Sequence, residues 1–373
     1  MTNSTTGAIE GPRPARPQEL PEIIDLLNKW IRVARGNEPT IARDWGFIYS
    51  PANAENVMIM TAGGRIVAST GIWANDVRLG SAQLRVGGIN CVLTDPEYRH
   101  HGLGMRVMNA CHERMIELGC HLGLLGTRIP NWYRRLGWEY AGVSRTYELN
   151  RGNIEFLPEL PAGLTAEGAG LEAVDEIVAL REAFPLGGIR TSETFCALLT
   201  ARKLSEFFVV RQNGQVAAYL LPSATHIYEW AGPPALVAGL IRAWFDRVDD
   251  RSVSTSTRRE ERIPLCLERA TLSAPAAAIS PLTYLLDGLH MPGSIDYIGM
   301  IRLLDPRGIF EAFGRHDVRV QMDEETITVA RGRRSVTLNL CQAAKLVFGP
   351  EAIADGEIDL KPVPLCQWSL EHV

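Results

Sequence analysis

The stretch Cys91-Val-Leu-Thr-Asp-Pro-Glu-Tyr-Arg-His-His-Gly-Leu-Gly-Met105 decides the reading of the chain. Residues 84–93 form a β-like run. A helical pattern of apolar residues follows through Met105, Val107, Met108, Cys111, Met115 and Leu118, so a strand, a glycine loop and a helix succeed one another directly. The loop Arg99-x-x-Gly102-x-Gly104 has the chemistry of an anion cradle. Its glycines let consecutive amides converge without Cβ obstruction, and the helix expected from Leu103 presents unpaired N–H groups and the positive end of its dipole. Arg99, His100 and His101 add side-chain donors suited to a diphosphate.

Working outward, residues 1–17 read as a Gly/Pro/Ser/Thr-rich tail with one short strand. Residues 21–35 carry Ile23, Ile24, Leu26, Leu27, Trp30, Ile31 and Val33 at helical spacing, which predicts one amphipathic helix. Residues 57–60 and 65–73 predict a hairpin about Gly63-Gly64. Downstream of the loop helix, residues 121–125 predict a strand, 132–136 a helical turn and 140–149 a closing strand. The alternation predicts an α/β fold with a mixed sheet and flanking helices.

A polar, Pro/Gly-rich passage at residues 151–164 marks a first boundary. The order then repeats: helix at 172–183, hairpin at 206–210 and 215–222 around Asn213-Gly214, strand at 226–230, helix at 235–248. The connection Ala231-Gly232-Pro233-Pro234 has neither the arginine nor the Gly-x-Gly of the first loop. An Ala/Ser/Pro-rich stretch at 273–281 marks a second boundary. Strands at 297–304, 318–323, 325–331 and 335–340, with helices at 306–313 and 342–347, predict a small α+β unit. The expected division is therefore 1–150, 151–290 and 291–373.

The 373 residues, 46% hydrophobic and 22% charged, fit an ordinary globular chain of two or three domains. A formal net charge of −5 provides no long-range attraction to nucleic acid or anionic membranes. No segment approaches the apolar length that spans a bilayer, and no basic and apolar leader opens the chain, so a cytoplasmic location is expected. Seven scattered cysteines agree with a reducing compartment. Cys111-His112 and Cys120-His121 contain metal-binding residue types, but neighbours on a helix point about 100° apart, so no metal is expected. Cys111 is read as core and His112 as solvated. Cys91 is read as a small buried hydrophobe.

On the strength of residues 87–142, the chain resembles the GCN5-related N-acetyltransferase (GNAT) superfamily, whose Arg/Gln-x-x-Gly-x-Gly/Ala loop holds the pyrophosphate of acetyl-coenzyme A. The resemblance implies that Val92, Leu93 and Thr94 offer backbone groups to the pantetheine arm. It implies that Arg99, His100, His101, Gly102, Leu103, Gly104 and Met105 surround the phosphates. Asn131-Trp-Tyr-Arg-Arg-Leu-Gly-Trp138 looks like the family's Tyr-x-x-x-Gly-Phe turn, which makes Tyr133 the donor of a proton to the departing thiolate.

Over its full length the chain resembles the enhanced-intracellular-survival-like group of that superfamily, which joins an active domain, a degenerate second one and a sterol-carrier-like domain. The ending Pro364-Leu-Cys-Gln-Trp-Ser-Leu-Glu-His-Val373 supports that likeness. By it, the terminal carboxylate of Val373 is the general base. The function implied is transfer of an acetyl group to a primary amine on a cationic small molecule such as an aminoglycoside or aminosugar antibiotic. Asp44 and Trp45 are candidates to meet that cation with a carboxylate and an aromatic face. A homo-oligomer is expected from the same likeness. Two other readings stay open: acylation of a protein lysine or N-terminus, and a coenzyme- or lipid-binding module without catalysis.

Overall fold

The structure, a computed structural model, describes residues 8–223, 225–250, 269–275, 280–350 and 358–366. Its first part runs β1 (Ile9–Pro14), α1 (Leu20–Leu27), α2 (Ile41–Asp44), β2 (Val57–Ala62), β3 (Arg65–Leu79), β4 (Ala82–Thr94), α3 (Leu103–Glu117), β5 (Leu122–Leu125), α4 (Pro130–Arg134) and β6 (Glu139–Asn150). The helix expected over residues 21–35 is not uniform. It is α-helical to Leu27, burying Leu20, Ile23 and Leu27, widens to a π-helix over Asn28–Arg32 and tightens to 3-10 over Val33–Arg35. The Asn28 side chain, where the pitch changes, accepts the Ile41 amide at 3.0 Å and so ties this segment to α2. π-segments of this kind recur at functional sites.

The second part runs α5 (Arg151–Ile154), β7 (Ala166–Ala169), α6 (Val174–Ala183), β8 (Leu186–Ile189), α7 (Ser192–Arg202), β9 (Phe207–Gln212), β10 (Gln215–Pro222), β11 (His226–Ala231), α8 (Pro234–Asp250), β12 (Arg269–Pro275), α9 (Pro281–Gly288) and β13 (Gly293–Leu303). The pattern reading missed α5, β7, β8, α7, β12 and α9. β12 runs with its last three residues into the Ala/Ser/Pro-rich stretch that reads as a boundary. Its ladder comes from β6, which pairs with it residue for residue from Asn150 to Ser144. The chain continues through α10 (Pro306–Ala312), β14 (Val318–Met322), β15 (Thr326–Arg331), β16 (Arg334–Asn339) and α11 (Leu340–Phe348).

One sheet joins most of the molecule in the order β1-β2-β3-β4-β5-β13-β6-β12-β11-β10-β9-β7, with β8 added on β3; β14, β15 and β16 make a separate three-stranded sheet. The order of the two parts is alike. Each has a run of antiparallel strands ending in a parallel pair, β4 with β5 and β11 with β12. Each parallel pair is followed by a helix opening on proline, α4 and α9. The strands after those helices then exchange sides: β13 lies against β5, and β6 lies against β12. The strand expected to open a unit at residue 291 is thus woven between β5 and β6, and the small sheet begins only at β14.

What positions the loop helix is burial along one stripe. Leu103, Val107, Met108, Cys111 and Met115 of α3 are buried against Met60, Val67, Ile89 and Trp138. Each large side chain so buried contributes roughly 1.5–3 kcal/mol, so α3 is fixed on the sheet with its first turn at the end of β4.

Candidate active site

β4 pairs with β3 as far as Thr94↔Ala68, but with β5 only over residues 86–88 against 122–124. Beyond Gly88 the two parallel strands part. The β5-facing edge of residues 89–94 is therefore open, and an open strand edge can take up an extended ligand. The fork coincides with a β-bulge. The register slips between Ser69↔Leu93 and Gly71↔Asn90, and Cys91 takes the left-handed conformation at φ 52°. Bulges are frequent beside active sites because they re-aim the strand.

A residue that pattern reading did not single out holds this bulge from below. The Tyr49 hydroxyl is hydrogen-bonded to the side-chain oxygen of Asn90 at 3.1 Å and to the Cys91 thiol. Burial pushes the Cys91 thiol up to about 12, against the smaller opposing effects of Tyr49, Arg32 and Arg35, so it is neutral at physiological pH. Tyr49 lies 41 residues from Asn90, which it supports, and only the aromatic character of Phe47-Ile-Tyr49 hinted at a buried role.

The predicted cradle residues occupy the end of this fork. Arg99, His100, His101 and Gly102 are exposed, Gly104 and Met105 half-buried, and Leu103 is a core side chain that offers only its backbone. His100 (φ 66°) and Gly102 (φ 74°) are both left-handed, which turns the chain sharply into α3. The first bond of the turn, Arg106 N–H to the Gly102 carbonyl at 3.1 Å, leaves the amides of residues 103–105 as the helix's orphan donors. His101 is tied to the Arg99 carbonyl at 2.8 Å. Of the strand residues, Thr94 and Val92 are half-buried, and Leu93 points into the core.

The second predicted string packs directly on the first. A Cβ added to Gly104 would lie 3.3 Å from the Trp132 ring and 3.4 Å from the Thr94 hydroxyl. Strand end, loop and α4 therefore meet so closely that a side chain here would crowd both neighbours. Arg135 reaches across to the Met105 sulfur at 3.4 Å. Tyr133 sits edge-on to Trp132, with centroids 4.7 Å apart, and is buried. That burial pushes its phenol up to about 12, a hydrogen bond to Thr127 offsetting part of the shift, so the hydroxyl holds its proton.

Asp44 does not stand free for a cation. Arg32 reaches one of its oxygens at 2.8 Å and Arg43 the other at 2.7 Å, while Thr40 donates to the first at 2.6 Å. Burial pushes its pKa up, but these donors outweigh it and the carboxylate is held below its ordinary value. The Trp45 face is covered by the Arg32 guanidinium, 4.6 Å from the ring centroid. Both residues thus serve to anchor Arg32. Val373 lies outside the described residues. His112 also departs from expectation: it is buried rather than solvated, and it accepts the Trp138 indole N–H at 3.0 Å. Among the described residues no group of three or more His, Cys, Asp or Glu side chains is placed to hold a metal ion.

A strand parting from its parallel neighbour, a bulge, and a glycine turn into a helix N-terminus make a geometry that an extended ligand ending in an anion would fit. The comparisons name the class. Residues 12–141 match the family described as an acetyltransferase (GNAT) domain, so the chain carries a GNAT acetyltransferase domain, and that class implies acetyl-coenzyme A as donor. Over 65 residues the chain is 34% identical to an amino-acid acetyltransferase of Pseudomonas putida (strain GB-1), a match spanning 17% of this chain and 15% of that protein.

Two solved structures are similar across almost the whole length. A GCN5-related N-acetyltransferase from Kribbella flavida is 16% identical with a TM-score of 0.60, covering 90% of this chain and 83% of its own. Eis1 from Mycobacterium abscessus is 12% identical with a TM-score of 0.56, covering 89% of this chain and 85% of its own. The likeness to these two lies in the fold.

Proposed function

We propose that the protein is an N-acyltransferase that moves an acetyl group from acetyl-coenzyme A to a primary amine of a small molecule. The fork between β4 and β5, leading onto the orphan amides of residues 103–105, carries this reading. In it, residues 92–94 pair with the pantetheine arm, and the turn from Arg99 to Met105 holds the diphosphate against the helix dipole. The acceptor nitrogen attacks the thioester carbonyl, the carbon–sulfur bond breaks, and Tyr133 gives its proton to the sulfur that leaves. A phenol is competent for this provided it starts protonated, as a buried one does.

The proton lost by the acceptor ammonium goes, in this reading, to the terminal carboxylate of Val373. A small-molecule acceptor is what the sequence resemblance to the enhanced-intracellular-survival-like group implies. An aminoglycoside-type cation would have to be recognised by groups other than Asp44, whose charge is already matched. We read the second half as a GNAT-like copy without a cradle, so that one coenzyme binds per chain. The small sheet after residue 303 is read as the sterol-carrier-like unit.

The test is to incubate the chain with acetyl-coenzyme A and a panel of amines, namely aminoglycosides, polyamines, amino acids and a lysine peptide, and to follow thiol release and the mass of each acceptor. Acetylation of at least one small amine is expected. Tight coenzyme binding with no thiol release across the panel would overturn the assignment in favour of a binding module.

A further inference from the structure

The two halves place equivalent elements around two equivalent positions. In the first, the end of β4, the start of α3 and the start of α4 meet at Gly104, Thr94 and Trp132. In the second, β11, the start of α8 and the start of α9 meet in the same relation, and there the structure has a cavity of about 310 Å³. Leu180 and Phe184 from the end of α6, Trp230 from β11, Pro233 and Pro234 at the head of α8, and Leu282 of α9 wall it. Trp230 and Leu282 are fully buried and form its floor, and Phe184 stands edge-on to Trp230 with centroids 5.8 Å apart.

The chemistry of this cavity differs from the cradle's. The loop before α3 ends in Gly102-Leu103-Gly104-Met105, four residues that each carry an amide N–H. The turn before α8 has Pro233 and Pro234 in that place, and proline has no N–H to give. The first helical bond runs from Val237 N–H to the Pro233 carbonyl at 3.0 Å, so Ala235 and Leu236 are the first residues of α8 that keep an amide N–H to offer. An anion therefore finds two backbone donors where the first loop offers four, and no basic side chain among the described residues of the lining. A cation is disfavoured as well, because the helix start still carries positive partial charge and no acidic side chain among the described residues lines the space. What remains is a space at the lower end of the ~300–1,000 Å³ typical of small-molecule pockets, walled by aliphatic, aromatic and proline carbon.

We propose that the second half of the chain binds a neutral, apolar small molecule, ring-bearing or branched, in the cavity between the head of α8 and the head of α9. The site that would take the charged end of a coenzyme in a GNAT domain has become an apolar one. This inference stands on the cavity and the two prolines and is independent of acyl transfer in the first half.

The test uses the full chain and the neutral fluorophore N-phenyl-1-naphthylamine, with acetyl-coenzyme A binding measured in parallel. One saturable site per chain is expected. Ala183→Trp, a change at an exposed rim position, should weaken the fluorophore at least tenfold and leave coenzyme affinity unchanged. Leu180→Phe, which fills the space from inside, should act in the same direction should the rim variant fold poorly. Non-saturable binding, binding unmoved by both changes, or displacement of the fluorophore by acetyl-coenzyme A would overturn the proposal. So would two coenzymes bound per chain.

Discussion

The indole N–H of Trp138 donates to Nε2 of His112 at 3.0 Å, beneath the turn that follows Tyr133. Since an indole nitrogen only donates, Nε2 must accept and the imidazole is neutral with its proton on Nδ1. Burial, together with the nearby Arg302 charge, pushes His112 down to about 3. The folded value lies below the unfolded one of ~6.5, so the unfolded chain takes up the proton first as pH falls. The contribution of His112 to stability is therefore full above pH ~6.5 and is lost as pH falls toward 3, on the order of 4 kcal/mol across that window. Denaturant titrations from pH 7 to pH 4 should show this slope in the wild type and a shallower one in His112→Leu. At neutral pH the same variant should cost about 1–3 kcal/mol, because it orphans the Trp138 N–H.

Arg302 should matter to turnover although it lies in β13, far along the chain from the candidate proton donor. Its guanidinium donates to the Leu136 carbonyl, while the amides of Leu136 and Trp138 donate back to the Tyr133 carbonyl at 2.8 and 3.3 Å. Gly137, at φ 77°, makes room for the guanidinium, and a Cβ there would come within 2.3 Å of it. Arg302→Met should lower kcat roughly tenfold, the equivalent of a hydrogen bond to a charged group, with coenzyme affinity shifted less than threefold. Arg302→Lys should recover part of the loss. Equal losses in kcat and coenzyme affinity would count against a positioning role.

Tyr133→Phe should reduce kcat by ~10²–10³, the usual scale for removing a general acid, and leave coenzyme binding intact. Because burial raises the phenol to about 12, it stays protonated over the working range. The wild-type kcat should accordingly show no alkaline decline attributable to this group between pH 7 and pH 10. A decline there that vanishes in the Phe variant would contradict the assignment.

Gly104 and Gly102 should behave differently when substituted. Gly104→Val pushes methyl groups into Trp132 and Thr94 and should weaken acetyl-coenzyme A by an order of magnitude or more without altering the far-ultraviolet circular dichroism. A Cβ at Gly102 meets nothing within 4 Å, but its φ of 74° suits glycine. Gly102→Ala should therefore cost about 1 kcal/mol in stability and affect coenzyme affinity less than Gly104→Val. Calorimetric titration with acetyl-coenzyme A separates the two.

Deleting Val373, or appending residues after it, should cripple turnover while thiol release in the presence of excess free carboxylate recovers in part. An unchanged rate would remove the terminal carboxylate from the chemistry.

The glycine turn into α3 and the turn after Tyr133 were legible in the sequence as local structure. Each needs only a few neighbouring residues, and their glycines and aromatic positions stand at fixed spacing. What stayed hidden depends on partners distant in sequence. Tyr49 beneath Asn90, β12 ordered by β6, and β13 between β5 and β6 all arise from pairings that no short window contains. Asp44 misled for a related reason. A carboxylate beside a tryptophan looks the same in sequence whether it waits for a ligand or is already held by Arg32, twelve residues back, and by its neighbour Arg43. His112 shows a second limit: the helical pattern of α3 is broad enough to bury a polar position once a donor such as Trp138 lies opposite it.

The exchange of β6 and β13 between the two halves also sets an order of assembly. Met300 pairs with Leu125 and Ile301 with Glu139, so the sheet that carries Tyr133 lacks its middle strand until residue 303 has emerged from the ribosome. Loop closures of that span are slow, and the edges of β5 and β6 stay open to wrong partners in the meantime. The acetyltransferase half is thus completed by one of the later segments made, and a nascent chain stopped before β13 has the whole glycine turn into α3 but not the strand that backs Tyr133.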